Sequence, residues 1–284
     1  LFFRKTSEAL KKRRISFVLQ KMIYPGLGRL SPGTRDVEPI FAATMLERSG
    51  LSQHPETIYR AMEYALGRLD ARGLFLGADW RDMLEDDLKH RALLSNNAVL
   101  ILALRNMIMH RFYMYQPIED ETMLFREMLK STEKEFWTGA YYRDHPDTDH
   151  FDTFGQSIMI LADLVSEYRF PSIIEKYRSV AMPYGFRIND ILPKPTTPEE
   201  ARIVQRIQEQ TNQYGVMWPF INGFAILALM QIGAKDLAMQ AWESWNKLEG
   251  FYEWYDPQTG QGFGDSRQLW SAALYIRVAE FLNK

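Results

Sequence analysis

Apolar positions along the chain fall into two kinds of helical segment, and the two kinds alternate. Residues 56–69, 119–137, 198–211 and 235–248 carry apolar side chains at helical spacing with charges between them, the pattern of a helix that buries one face. Residues 97–109, 157–165, 220–232 and 271–282 are apolar almost all round and too long for typical buried strands, which predicts helices buried on every side. Thr197-Pro198-Glu199-Glu200 supplies a cap, a first-turn proline and a capping-box acid for one amphipathic helix. Trp218-Pro219 starts the apolar helix that follows it.

The loops that lead from an amphipathic helix into the next apolar one hold the unusual residues. They span 30–36, 73–82, 139–152, 214–222 and 250–268, whereas the return connections, such as Gly233-Ala234, are plain. An inner ring of buried helices wrapped by an outer ring of amphipathic ones would bring all these loops out at one end. The expectation is therefore an all-α protein, an (α/α)6 barrel or six-hairpin toroid, formed as a single catalytic domain over residues 1–284. The pattern falters at 170–195, where Pro171, Pro183, Pro193 and Pro195 intervene and Phe186-Arg187-Ile188 reads as extended. An inner helix is expected to be short or missing there. A plain α-solenoid finds no support, since no fixed-period repeat is present.

Composition narrows the function classes. With 34 basic against 36 acidic residues the formal charge is -2, so no global field recruits nucleic acid or an anionic membrane, and a small, near-neutral partner is expected. The absence of cysteine removes disulfides, thiolate zinc sites and thiol nucleophiles, and makes the cytoplasm the expected location. No run reaches the roughly 18 apolar residues of a membrane span; 220–233 comes nearest and carries Asn222 and Gln231. The basic run Lys11-Lys12-Arg13-Arg14 reads as a solvated helix face. Phosphate-cradling and dinucleotide glycine motifs are absent, as is the serine-hydrolase elbow.

The richest stretch runs from Gly250 to Ala273. Asp256-Pro257 and Gly260 mark a turn, so Glu253 sits in an irregular segment between aromatic neighbours. Tyr252, Trp254, Tyr255 and Trp270 offer flat apolar faces with polar edges, on which sugar rings stack. The alternative is a surface loop with a solvated glutamate. Asp79-Trp80-Arg81-Asp82 is the natural counterpart, because glycoside hydrolysis needs one protonated and one ionised carboxyl group. One of Asp79 and Asp82 can equally cap the helix that follows. Arg35-Asp36 pairs a donor with an acceptor for adjacent hydroxyls, or forms a structural salt link. The oxygen-rich loop 144–152 lacks the central glycine and distal glutamate of a calcium loop and has no zinc-hydrolase spacing. It is read as solvated, with Asp152 capping the next helix and no metal bound; no cofactor is expected.

From residues 31 to 282 the sequence resembles the catalytic barrel of (α/α)6 glycoside hydrolases related to amylo-1,6-glucosidases, neutral invertases, trehalases and glucosylglycerate or mannosylglycerate hydrolases. The resemblance rests on Pro32-Gly33-Thr34-Arg35-Asp36, Asp79-Trp80-Arg81-Asp82, Trp218-Pro219 with Asn222, and Gly250-Phe251-Tyr252-Glu253-Trp254 followed by Gly260 and Gln268-x-Trp270-Ser271-Ala272. It implies an inverting, exo-acting hydrolase of a short α-glucoside, with Asp82 as general acid, Asp79 as the fallback, and Glu253 as general base. Arg35, Asp36, Trp80, Trp218 and Trp270 would line the sugar subsite, and Asp79, Asn222, Tyr252, Trp254 and Gln268 complete the expected binding set. Related phosphorylases share the Asp-Trp-x-Asp element but use phosphate in place of a basic carboxylate, so Glu253 favours hydrolysis. In relatives an N-terminal part often carries a β-sandwich, which this chain is expected to lack. The second function class is a helical carbohydrate-binding or structural barrel without catalysis, which has no need of a matched acid and base.

Overall fold

The computed structural model describes residues 65–77, 90–113, 119–190 and 215–283. The chain divides into two compact units; of the described residues, the first holds those up to Glu135 and the second those from Phe136 onward. The described part is mostly helical, with two short two-stranded sheets. Among the described residues no helix is long and apolar enough to cross a membrane.

In the first unit, α1 (Leu94–Tyr113) contains the expected apolar helix, and it is sealed from solvent from Leu94 to Leu104, the polar Ser95, Asn96 and Asn97 included. Asn97, fully buried, explains how the chain enters it. Its Oδ1 accepts from the Phe75 N–H at 2.9 Å, while its Nδ2 donates to the carbonyls of Phe75 (3.2 Å) and Leu93 (2.8 Å). Asn96 donates to the Gly77 carbonyl at 2.8 Å, so two adjacent amides clamp the 73–77 loop against the helix start. The amphipathic α2 (Glu119–Phe136) begins with Glu119, Asp120 and Glu121 at its positive end and turns Met128 and Thr132, one turn apart, inward; its last residue, Phe136, belongs to the second unit.

The second unit is built on α5 (Pro219–Gln231), whose positions from Pro219 to Leu229 are buried except Phe224. Before it come α3 (Thr153–Leu161) and α4 (Phe170–Val180); after it come α6 (Lys235–Trp245) and α7 (Leu269–Leu282). Helix α5 packs on α3, α6 and α7. Its far end is tied to that of α3 by Gln231, whose Nε2 donates to the Ile160 carbonyl and to Asp163 Oδ1, both at 2.7 Å.

Two expectations are corrected. Pro171 does not break the helical pattern: it occupies the first turn of α4, where a missing N–H has no consequence, and Ile173, Tyr177 and Val180 share that helix's inward face, so α4 is amphipathic and not one of the all-round buried helices. A tight hairpin follows, β1 (Ala181–Met182) with β2 (Gly185–Phe186), so Phe186 is extended as expected. The second correction concerns α7. Its composition predicts burial all round, yet only Ser271 and Val278 are buried, and Leu269 and Ile276 expose 46% and 42% of their surface. Helix α7 is covered along the stripe that meets α5, where a Cβ on Gly223 would lie 2.9 Å from Leu274 Cβ; only glycine permits that approach.

Candidate functional site

The loop carrying Glu253 is built from its turn outward. Asp256 Oδ1 accepts from the Gln258 N–H and Oδ2 from the Thr259 hydroxyl, both at 2.8 Å, and the Gly260 N–H closes on the Asp256 carbonyl at 2.8 Å. This turn joins β3 (Trp254–Tyr255) to β4 (Gly262–Phe263) as an antiparallel hairpin. Tyr255, 1% exposed, pins the loop's entry: its hydroxyl lies 3.0 and 2.9 Å from the carbonyls of Glu249 and Gly250 and accepts from the Tyr252 N–H at 3.0 Å. Burial pushes that phenol's pKa up, against the Tyr252 N–H that draws it down, so it stays a donor.

Glu253 itself is half-buried at the start of this hairpin. Its Oε2 accepts from the Asp265 N–H at 3.4 Å, the one hydrogen bond it makes among the described residues. Trp254 is stacked on Phe263 with ring centroids 4.5 Å apart and planes 15° from parallel. The Tyr252 ring lies over the bare backbone of Gly262. Gln268 stands at the cap position of α7, and its N–H donates to the Phe251 carbonyl at 2.9 Å.

Backbone bonds carry this loop to its neighbours. Met217 and Tyr255 exchange N–H···O bonds of 3.0 and 2.8 Å, the Ile188 N–H reaches the Val216 carbonyl at 3.1 Å, and the Thr153 N–H reaches the Ile188 carbonyl at 3.0 Å. The entrances to α3, α5 and α7 are thus stitched in a row. Within the second unit the loops before α3, α5 and α7 are joined to one another by these bonds.

Of the expected site residues in this unit, Trp218 and Trp270 are brought together by Phe220. The Phe220 ring is stacked on Trp270 at 5.0 Å and meets Trp218 edge-on at 5.8 Å. Trp218 is 9% exposed. Asn222 is fully buried and serves the fold through one atom: its Oδ1 accepts from the Phe186 N–H at 3.2 Å, against the back of Gly185. Asn222 Nδ2 and Trp270 Nε1 are buried donors with no hydrogen-bond partner among the described residues. Arg35, Asp36, Asp79, Trp80 and Asp82 lie outside the described residues, as does the basic run at 11–14.

Asp152 caps α3 as expected, its Oδ1 accepting from the Phe154 N–H at 3.0 Å. In the loop before it, Arg143 pairs with Asp149 at 3.1 Å. Among the described residues no group of three or more His, Cys, Asp or Glu is arranged to hold a metal ion.

Sequence reasoning missed Phe220, Phe263 and Gly264. The signal for the last was present in the spacing Gly260-x-Gly262-x-Gly264, because closely spaced glycines leave bare backbone that other groups can rest on.

The fold is shared with solved glycoside hydrolase structures of GH63. One is the mannosylglycerate hydrolase of Thermus thermophilus in complex with glucose, at 19% identity and a TM-score of 0.52, covering 67% of this chain and 48% of that one. The same enzyme in complex with Tris and D-glycerate matches 91% of this chain and 56% of its own length, at 16% identity and a TM-score of 0.52. A curated mannosylglycerate hydrolase from Rubrobacter radiotolerans is 39% identical over 67 residues, which are 22% of this chain and 15% of that protein. The chain therefore spans about half the length of the solved structures it matches, and far less of the curated relative. The likeness to mannosylglycerate hydrolases implied by the motifs is found again in these comparisons. No family model matches the chain.

Proposed function

We propose that the chain is the catalytic part of an inverting glycoside hydrolase that releases a sugar from a short α-linked glycoside. Glu253 is the general base and Asp82 the general acid, with Asp79 as the alternative acid. The observation that carries the reading is Glu253 itself: a half-buried carboxylate in a rigid hairpin, flanked by aromatic rings and engaged by a single backbone N–H. A carboxylate with so little structural work is free to take a proton from water as that water attacks the anomeric carbon. Asp82 is assigned by its Asp-Trp-x-Asp motif alone; in single displacement it protonates the departing oxygen. The finer architecture, an (α/α)6 barrel in one domain, and the cytoplasmic location belong to the same proposal. So do the sugar-binding roles of Arg35, Asp36, Trp80, Trp254 and Trp270.

Mannosylglycerate and glucosylglycerate are the first substrates to try, given the relatives, followed by short α-glucosides and glucosylated polyols. Proton NMR in the first minutes, before mutarotation, is expected to reveal the β-anomer from an α-linked substrate. Initial release of the α-anomer would exclude attack by water and with it Glu253 as base. Binding of these sugars without turnover would support the non-catalytic barrel instead.

A further inference from the structure

We infer that Gly264 is a positioning residue for Glu253, and that the Gly264-Asp265 peptide sets the direction of the carboxylate; the inference rests on the reading of Glu253 as the base. Gly264 has φ of 74°, in the left-handed region that side chains rarely adopt. A Cβ placed there would lie 2.5 Å from Glu253 Oε2 and 2.8 Å from Glu253 Cβ. The first clash could be relieved by turning the carboxylate. The second could not, because it involves the root of the side chain, so the whole of Glu253 would have to move. The glutamate therefore rests directly on bare backbone. The next N–H, that of Asp265, donates to the same Oε2 at 3.4 Å. One oxygen is held while Oε1 has no partner among the described residues, the division of labour a base needs: Oε1 accepts the proton that water gives up and Oε2 keeps the group aligned.

The arrangement continues along the strand. A Cβ on Gly262 in β4 would collide with the Tyr252 ring, so Gly262 and Gly264, which lies just past that strand, carry Tyr252 and Glu253 in turn. The two serve the fold and the reaction differently, since Tyr252 has no proton to move in the proposed step.

Two substitutions separate contact from backbone strain. Gly264→Ala adds a Cβ and strains the left-handed backbone, whereas Gly264→Asn adds the same Cβ in a residue that tolerates that conformation. Both are expected to lower kcat about 10-fold to 100-fold with KM changed less than about threefold, since a displacement near 1 Å carries losses of that order. Gly264→Asn is expected to melt above Gly264→Ala, since it shares the contact and carries less of the backbone strain. Added to Glu253→Gln it is expected to cause no further loss, because no base remains to be misplaced. Full kcat in Gly264→Asn, or an equal proportional loss in both backgrounds, would overturn the positioning role while leaving Glu253 as base. Wild-type turnover in Glu253→Gln would remove the base reading and this inference together. A crystal structure of Gly264→Asn with the Glu253 carboxylate unmoved would overturn it without any substrate.

Discussion

The 139–152 loop and the 250–268 loop occupy the same place in the chain, each leading into a helix of the second unit, yet they use their carboxylates differently. In the first, Asp152 caps α3 and Asp149 pairs with Arg143; just beyond the unit's hairpin, Asp190 takes Lys176 at 2.7 Å and the Phe151 N–H at 2.9 Å. In the second, Asp256 is consumed by its turn, while Glu253 retains one long hydrogen bond. Position in the fold does not distinguish the loops; what their acids are bonded to does. Asp256 and Asp190, with short partners on both oxygens, belong to the structure, whereas Glu253 keeps one oxygen without a partner among the described residues.

The comparison is broken most directly at Glu253. Glu253→Gln is expected to lower turnover by about 10²-fold to 10⁴-fold while the melting temperature stays put, measured on whichever glycoside the wild type hydrolyses. A large loss of stability in that variant would make Glu253 structural, like its counterparts in the other loop. Asp82→Asn should match it in rate; if Asp79→Asn is the inactive variant instead, the acid lies three residues earlier.

The same contrast can be drawn with tryptophans. Trp245, 2% exposed, packs edge-on to Trp242 and Tyr275, and Trp245→Ala is expected to cost about 3–5 kcal/mol in denaturant unfolding. Trp254→Ala, in the hairpin, should instead weaken sugar binding with a smaller change in stability, and ligand-dependent melts would separate the two. Trp218 is enclosed enough that its truncation should register in both measurements.

Within the 250–268 loop, Asp256→Ala removes a buried acceptor and is expected to destabilise by about 1–3 kcal/mol. Any loss of rate should follow from unfolding and recover at lower temperature. In the other loop Asp152→Ala should cost about 1 kcal/mol as a lost helix cap. Retained stability there would show that the two loops differ less than their hydrogen bonds suggest.

The smallest effect is expected at Asp70 in the first unit. Burial raises its pKa, but the N–H of Leu74 and the Arg72 guanidinium and N–H outweigh that and leave it below 3.8. A carboxyl with a depressed folded-state pKa adds stability above its unfolded value, and the gain is lost as pH falls through the folded one. Wild type and Asp70→Asn should therefore differ in melting temperature at neutral pH and converge in strong acid.

Sequence pattern by itself determined where most of the described helices lie and where several begin. Period-3.6 apolar spacing, Trp218-Pro219, the Asp152 cap and the Asp256-to-Gly260 turn are local signals, each read within one or two turns of chain. Pro171 misled because proline breaks a helix interior yet suits its first turn, and only the flanking structure says which applies. Partners distant in the chain were decided by the tertiary fold alone. That α7 keeps Leu269 and Ile276 open depends on which helices stand beside it, a fact its own apolar composition does not carry. That Asn222 Oδ1 accepts from Phe186, 36 residues earlier, is likewise decided by the fold and not by the local sequence. That Gly264 lies beneath Glu253 is decided by the hairpin, because close packing joins residues by space and chain order says only which of them can be reached.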